Sequence, residues 1–111
     1  MGADPFIISF TNVSIAEANQ YAVDLGASLR DLERDVVVEQ RRERSDSQDF
    51  GATLAIILGT ASATALANGI ASWLMRHSGA RIQINKQGSV IATNLDSRDA
   101  AKIAQAFSRK D

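Results

Sequence analysis

Residues 50–75 have the sequence FGATLAIILGTASATALANGIASWLM, a run of 26 positions without a single charged side chain. At 1.5 Å per residue, one continuous helix of this length would extend about 39 Å. Small residues recur at every fourth position, which would give such a helix a flat face that another backbone could approach closely. The run therefore predicts one long Ala- and Gly-rich central helix around which the rest of the fold is arranged.

The small-residue face of this predicted helix has three interpretations. Burial against a sheet is favoured, and pairing with a second helix along the same face comes next. Membrane insertion is the third, although the mean hydropathy is only about 1.5, at the border for a bilayer span, and Asn68 lies within the run. The predicted packing or self-association residues are Gly51, Ala55, Gly59, Ala63, Ala67 and Trp73.

Shorter patterns before this run predict a strand, a helix and a second strand. Residues 6–11 are rich in β-forming side chains. Ser14 and Glu17 have the spacing of a capping box, and the apolar residues that follow are three or four positions apart, as in a helix packed on a sheet. The β-branched residues 36–38 predict a strand, and the polar residues 39–44 would carry its end into water.

After the run, the patterns predict a hairpin and a last helix. Residues 81–85 alternate between polar and apolar, and a Lys-Gln-Gly turn leads into residues 89–93, as in a β-hairpin with one buried face. Ile103 and Phe107 lie at helical spacing, so the last helix should dock by that side.

Together these patterns predict one small α/β (α+β) domain over residues 1–111, with its core in residues 6–107. The expected order is β-α-β-α-β-β-α, with four short strands in one sheet and three helices. Residues 45–49 are all polar, and the segment 45–50 is predicted to be a flexible loop before the long helix.

Composition narrows the classes of function. The chain has 111 residues, a net charge of -1, one His and no Cys. Without Cys it cannot form a disulfide framework or a Cys-based zinc site, and a near-neutral charge gives no broad field for nucleic acid. The first five residues lack a signal-peptide pattern, so a cytoplasmic protein is expected, with membrane association only if residues 50–75 insert.

Neither a cofactor nor a metal is predicted, and no catalytic residues are assigned. Asp46 and Asp49 lack the spacing of a calcium loop, and no phosphate-binding loop motif is present. His77 follows Arg76 at the predicted end of the long helix, where positive charge favours helix termination. A small enzyme of unknown reaction stays as an alternative, and it would have to depend on His77.

Three arginines are the candidate partner-binding residues: Arg41, Arg42 and Arg44. Guanidinium groups suit recognition of carboxylate or phosphate, but Glu39 and Glu43 are interleaved with them. A solvated strand end is the simpler interpretation. The other is a partner-binding edge that works by charge pairing or by strand addition.

The order of the segments also resembles a known family. The residues that carry the resemblance are 49–51, Leu66, Ala67, 72–76, 82–84 and Gly88. Over about residues 6–107 the chain is similar to the effector-associated constant component family, small proteins and domains found beside NTPase and protease-like effectors in bacterial conflict (defence) systems.

The resemblance implies a non-catalytic adaptor or regulatory component that binds such an effector protein, and it supplies no catalytic residues. Self-association into a homo-oligomer would bring several effectors together. The alternative is a membrane-active or oligomerising component that uses the predicted helix over residues 50–75.

Overall fold

The computed structural model describes residues 5–11, 13–32, 36–42, 52–58 and 63–108. Within these residues the chain forms two successive β-α-β units, followed by one more strand and a last helix. The elements are β1 (Phe6–Thr11), α1 (Ile15–Leu32), β2 (Val37–Arg42), β3 (Ala52–Ile57), α2 (Ala63–Arg76), β4 (Arg81–Lys86), β5 (Ser89–Leu95) and α3 (Ala100–Phe107).

The strands form one antiparallel sheet in the order β2-β3-β1-β4-β5. β3 lies between β1 and β2, and β1 lies between β3 and β4, so the two β-α-β units interlock. This is the split β-α-β arrangement of ferredoxin-like folds, here extended by β5 beside β4. β1 is therefore the central strand, and β2 and β5 are the two edges.

All three helices cover the same face of this sheet. Phe6 contacts Phe107 of α3 with ring centroids 4.9 Å apart, and Phe10 contacts Trp73 of α2 at 5.8 Å. On α1, a Cβ placed at Gly26 would lie 3.4 Å from Leu54. The buried core forms between the helices and this face, as expected for a two-layer domain.

The local predictions at the start and end of the chain are confirmed. β1 occupies residues 6–11, and the capping box forms at α1, where the Glu17 backbone N–H donates to Ser14 Oγ at 3.1 Å. The hairpin of β4 and β5 turns through Gln87 and Gly88, which have φ of 54° and 78°. Two consecutive positive φ values are typical of the type I′ turn that joins two-residue hairpins.

The prediction of one helix over residues 50–75 is wrong. Residues 52–57 form β3, and the helix α2 begins only at residue 63. Leu54 is fully buried under α1, while Ala55, which points to the opposite face, is only 3% exposed. Side chains that point to either face of β3 are buried, so its sequence does not alternate between polar and apolar residues. A short run of this kind is compatible with a strand or with a helix, and its pattern alone does not decide between them.

The sheet consequently has five strands instead of four, and the order is β-α-β-β-α-β-β-α. The predicted loop at residues 45–50 lies outside the described residues. None of the helices described combines the length and apolar character needed to cross a membrane.

Candidate interaction surface and the histidine cluster

β2 is the more regular of the two sheet edges. Its pairing with β3 runs without interruption from Val37 opposite Ile57 to Arg42 opposite Ala52. The pairing of β5 with β4, by contrast, shifts register twice. Bulges protect an edge against further pairing, whereas a regular edge strand presents main-chain groups that another strand can use. β2 is therefore the edge better suited to strand addition.

The side chains on the helix-free side of β2 are exposed. Val38 contacts α1, so its neighbours Val37 and Glu39, and likewise Arg41, point to the opposite face. Val37 is 54% exposed. The Arg41 Nε donates to Glu39 Oε1 at 3.0 Å, and both side chains remain open to solvent. An exposed pair of this kind contributes at most about 1 kcal/mol, so Arg41 can exchange Glu39 for another carboxylate at little cost.

One acceptor on the free edge of β2 is already used by α1. The Thr53 hydroxyl donates to the Arg41 carbonyl oxygen at 3.4 Å, so that carbonyl points toward β3. Carbonyls alternate in direction along a strand, and the Val38 carbonyl therefore points away from β3. Arg30 donates to it through Nε at 3.2 Å and Nη2 at 2.8 Å. The free edge is thus covered at Val38 by Arg30.

The three predicted partner-binding arginines do not all fall within the described side chains. Arg41 is exposed on β2, as expected for a strand that continues into water. Arg42 ends β2, but its side chain is outside the described part, and Arg44 lies beyond the described residues.

The predicted packing residues do not share one helix face. Ala55 is in β3, whereas Ala63, Ala67 and Trp73 are in α2. Ala67 and Trp73 are buried in the helix–sheet core. Gly51 and Gly59 lie outside the described residues. These residues therefore do not form the predicted self-association groove along one helix, because the described ones are divided between a strand and a shorter helix.

A polar cluster that the sequence did not predict lies between α1 and the end of α2. His77 stacks on Trp73 with ring centroids 4.1 Å apart and an interplanar angle of 18°. Both rings bond to Asp24 Oδ2, the Trp73 Nε1 at 3.2 Å and the His77 Nε2 at 3.0 Å. Tyr21 meets both rings edge-on, at 5.3 Å from Trp73 and 5.7 Å from His77.

The second ring nitrogen of His77 is also occupied. Its Nδ1 lies 2.8 Å from the carbonyl oxygen of Trp73, one turn earlier. A carbonyl and a carboxylate oxygen are both acceptors, and only the imidazolium form has a donor for each. In this arrangement both ring nitrogens of His77 already have partners, so neither is free to take a proton from a substrate. His77 directly follows Arg76, the last residue of α2, which agrees with its predicted place at a helix end.

A second charged network closes the turn between β5 and α3. Asp96 accepts from Arg81 Nη1 at 2.8 Å, from Arg98 Nη2 at 3.0 Å and from the Arg98 backbone N–H at 2.9 Å. The side-chain and backbone hydrogen bonds from Arg98 hold the pKa of Asp96 far below its usual value, with the charge of Arg81 adding to the effect. Among the described residues, no three His, Asp or Glu side chains gather as metal ligands.

The fold and these surfaces define a small α+β domain with one regular sheet edge and a histidine-containing cluster between two helices. Comparison of the chain with protein-family models, with curated proteins and with solved structures finds no match.

Proposed function

We propose that this protein is a non-catalytic adaptor of the cytoplasm that binds an effector protein, protease-like or NTPase in type, through the β2 edge. The observation that carries the proposal is the unbroken register of β2 at the border of the sheet, with Val37 and Arg41 exposed beside it. The resemblance to effector-associated components of bacterial conflict systems supports the same role.

Strand addition is the binding mode that this edge favours. A partner strand would pair with the outward main-chain groups of β2, and pockets or charges on alternate side chains would give specificity. Since Arg30 covers the Val38 carbonyl, the new pairing would be concentrated at residues 40–42. Arg41, together with Arg42 and Arg44 in the sequence, would favour a partner segment that carries acidic side chains.

The test is co-purification with candidate effector proteins of the protease-like and NTPase types, using wild type and two variants. The first variant reverses the charge of Arg41, Arg42 and Arg44 to Glu. The second, Gln40→Pro, removes one outward N–H from the edge, a change that edge strands tolerate. Lys102→Glu, at an exposed side chain of α3, is the matched control.

Both β2 variants should lose at least about tenfold in affinity, because each removes charge pairing or a main-chain bond in a buried interface. The control should bind like wild type. If both β2 variants bound the partner as well as wild type does, β2 would not be the binding edge.

A second copy of the chain is the other occupant to test, because two β2 edges could pair with each other. Light scattering after size exclusion at several protein concentrations measures this directly. A monomer at all concentrations would leave the effector as the occupant, whereas a dimer that Gln40→Pro dissociates would show that β2 joins two copies.

A further inference from the structure

The only Trp and the only His of the chain are stacked on each other at the contact between α1 and α2. Trp73 is fully buried, while the His77 side chain is about one quarter exposed, at 26%. The proton on His77 is therefore accessible from solvent, although the ring that it touches belongs to the core. A change in charge at His77 would act directly on the core.

The charged and titratable groups around His77 come from two elements. α1 contributes Asp24 and Tyr21, and α2 contributes Arg76, whose guanidinium donates to Ser72 Oγ at 3.4 Å. β1 contributes Phe10, an uncharged ring that packs on Trp73. Asp24 is thus the one carboxylate among the described residues that bonds the imidazole.

We propose that Asp24, Trp73 and His77 form a pH-responsive clamp that fastens α1 to the C-terminal end of α2. In the imidazolium form, one ring bridges the Trp73 carbonyl of α2 and the Asp24 carboxylate of α1. The helix end supports this form, because its last carbonyls favour positive charge. The clamp makes both of its imidazole hydrogen bonds only when His77 carries two ring protons.

Loss of one proton weakens the clamp for a geometric reason. A neutral imidazole has a single donor, so it can satisfy only one of the two acceptors. If Nδ1 keeps its proton, the Nε2 lone pair faces the Asp24 carboxylate at 3.0 Å, which is repulsive; if Nε2 keeps it, the Trp73 carbonyl loses its donor. In the first case Asp24 holds α2 only through the indole N–H of Trp73. In the second case it keeps the bond from Nε2 but no longer faces a positive charge, so the attraction between α1 and α2 is weaker in either neutral form.

The test is a titration of the full chain between about pH 5 and pH 8, the interval in which imidazole groups commonly change charge. Nitrogen-15 NMR of the full chain can follow the two ring nitrogens of the only His through this interval. The backbone amide signals of Tyr21, about one turn before Asp24, and of Leu25, directly after it, report on α1. In wild type we expect the α1 signals to move with the same midpoint as the ring nitrogens.

Asp24→Asn is the decisive variant, because it keeps the size of the side chain and removes the charge that the imidazolium meets. In this variant the ring nitrogens should still titrate, but the α1 amide signals should no longer follow them. Asp31→Asn, an exposed carboxylate on the same helix, is the matched control and should behave like wild type.

His77→Gln provides a second measurement, the fluorescence of Trp73. Because the His77 ring is stacked on the indole, a change in its charge should change the wild-type emission across the titration, and emission of the variant should stay flat. If His77→Gln does not fold, the Asp24→Asn comparison still decides. A ring that does not titrate in this interval, or α1 signals that stay fixed while it titrates, would overturn the clamp.

Discussion

Gly26 is a single residue whose replacement should stabilise the protein. It is buried on α1, and a Cβ there would meet Leu54 at 3.4 Å and Val38 at 3.7 Å, both ordinary contact distances. Glycine within a helix costs up to about 1 kcal/mol relative to alanine. Gly26→Ala should therefore raise the free energy of unfolding by about 0.5–1 kcal/mol, measured by urea denaturation.

The matched variant at this position is Gly26→Val. Its extra methyl groups would reach into the space already filled by Leu54 and Val38, and overpacking of this kind costs about 1–3 kcal/mol. A destabilising Gly26→Ala would mean that α1 lies closer to the sheet than these distances indicate.

Asp96 should make the stability of the protein depend on acid pH. Its pKa is lowered first by the Arg98 side-chain hydrogen bond and then by the Arg98 backbone N–H. A carboxyl with a lowered folded-state pKa stabilises the fold above its unfolded value of about 4, and this stabilisation is lost as pH falls below that value. Urea denaturation at about pH 7 and pH 3 should show a smaller difference for Asp96→Asn than for wild type.

Asp31→Asn is the control for this measurement, since Asp31 is an exposed carboxylate on another element. It should leave the difference between the two pH values as in wild type. Equal differences for wild type and Asp96→Asn would show that the Asp96 network forms no more strongly in the folded than in the unfolded chain.

At the scale of elements, the β4–β5 hairpin depends on its turn. Gly88 has a φ of 78°, a left-handed conformation that costs a residue with a Cβ about 1–2 kcal/mol. Gly88→Ala should lower the free energy of unfolding by about 1 kcal/mol, a fall of about 4–8 °C in Tm for a domain of this size. Gly79→Ala is the control, because a Cβ at Gly79 meets nothing within 4 Å and its φ is not left-handed.

Thermal unfolding followed by circular dichroism compares the two alanine variants directly. Gly79→Ala should stay within about 0.5 kcal/mol of wild type, as is usual for surface positions. Equal losses for both variants would argue against a left-handed residue in the hairpin turn.

The elements that the sequence predicted correctly are those fixed by local chemistry. The Ser14–Glu17 capping box and the turn at Gly88 each join residues that are three positions apart or fewer, so their spacing alone identifies them. β3 has no such signal. Thr53 is fully buried and Ala55 almost so, although both point away from the helices, so burial does not alternate along this strand.

The histidine cluster could not be predicted for a different reason. Trp73 and His77 are four residues apart on the chain, and a stack between them is a local feature of a helix end. Asp24, however, is 49 positions from Trp73, and only the packing of α1 beside α2 brings them together. Sequence spacing identifies residues that share a helix face, but it does not identify the helix that they meet.

At the scale of the whole molecule, β1 connects the two β-α-β units, which are β1-α1-β2 and β3-α2-β4. It pairs with β3 on one side and with β4 on the other, and Ile8 at its middle lies opposite both Leu54 and Ile84. All three side chains are fully buried on the helix-covered face. Neither unit can lose β1 without exposing this shared core, so the domain should unfold in one cooperative step.

Ile8→Val tests this cooperativity with two probes that report on different parts of the fold. Removing one buried methylene group costs about 0.5–1.5 kcal/mol, which leaves a domain of ordinary stability folded. Trp73 fluorescence follows the end of α2, and far-ultraviolet circular dichroism follows the whole backbone. Both should give the same lowered urea midpoint, whereas Val90→Ala on the exposed β5 edge should change neither. A fluorescence transition that separates from the dichroism transition in Ile8→Val would mean that the two units unfold independently, and β1 would then belong to one of them alone.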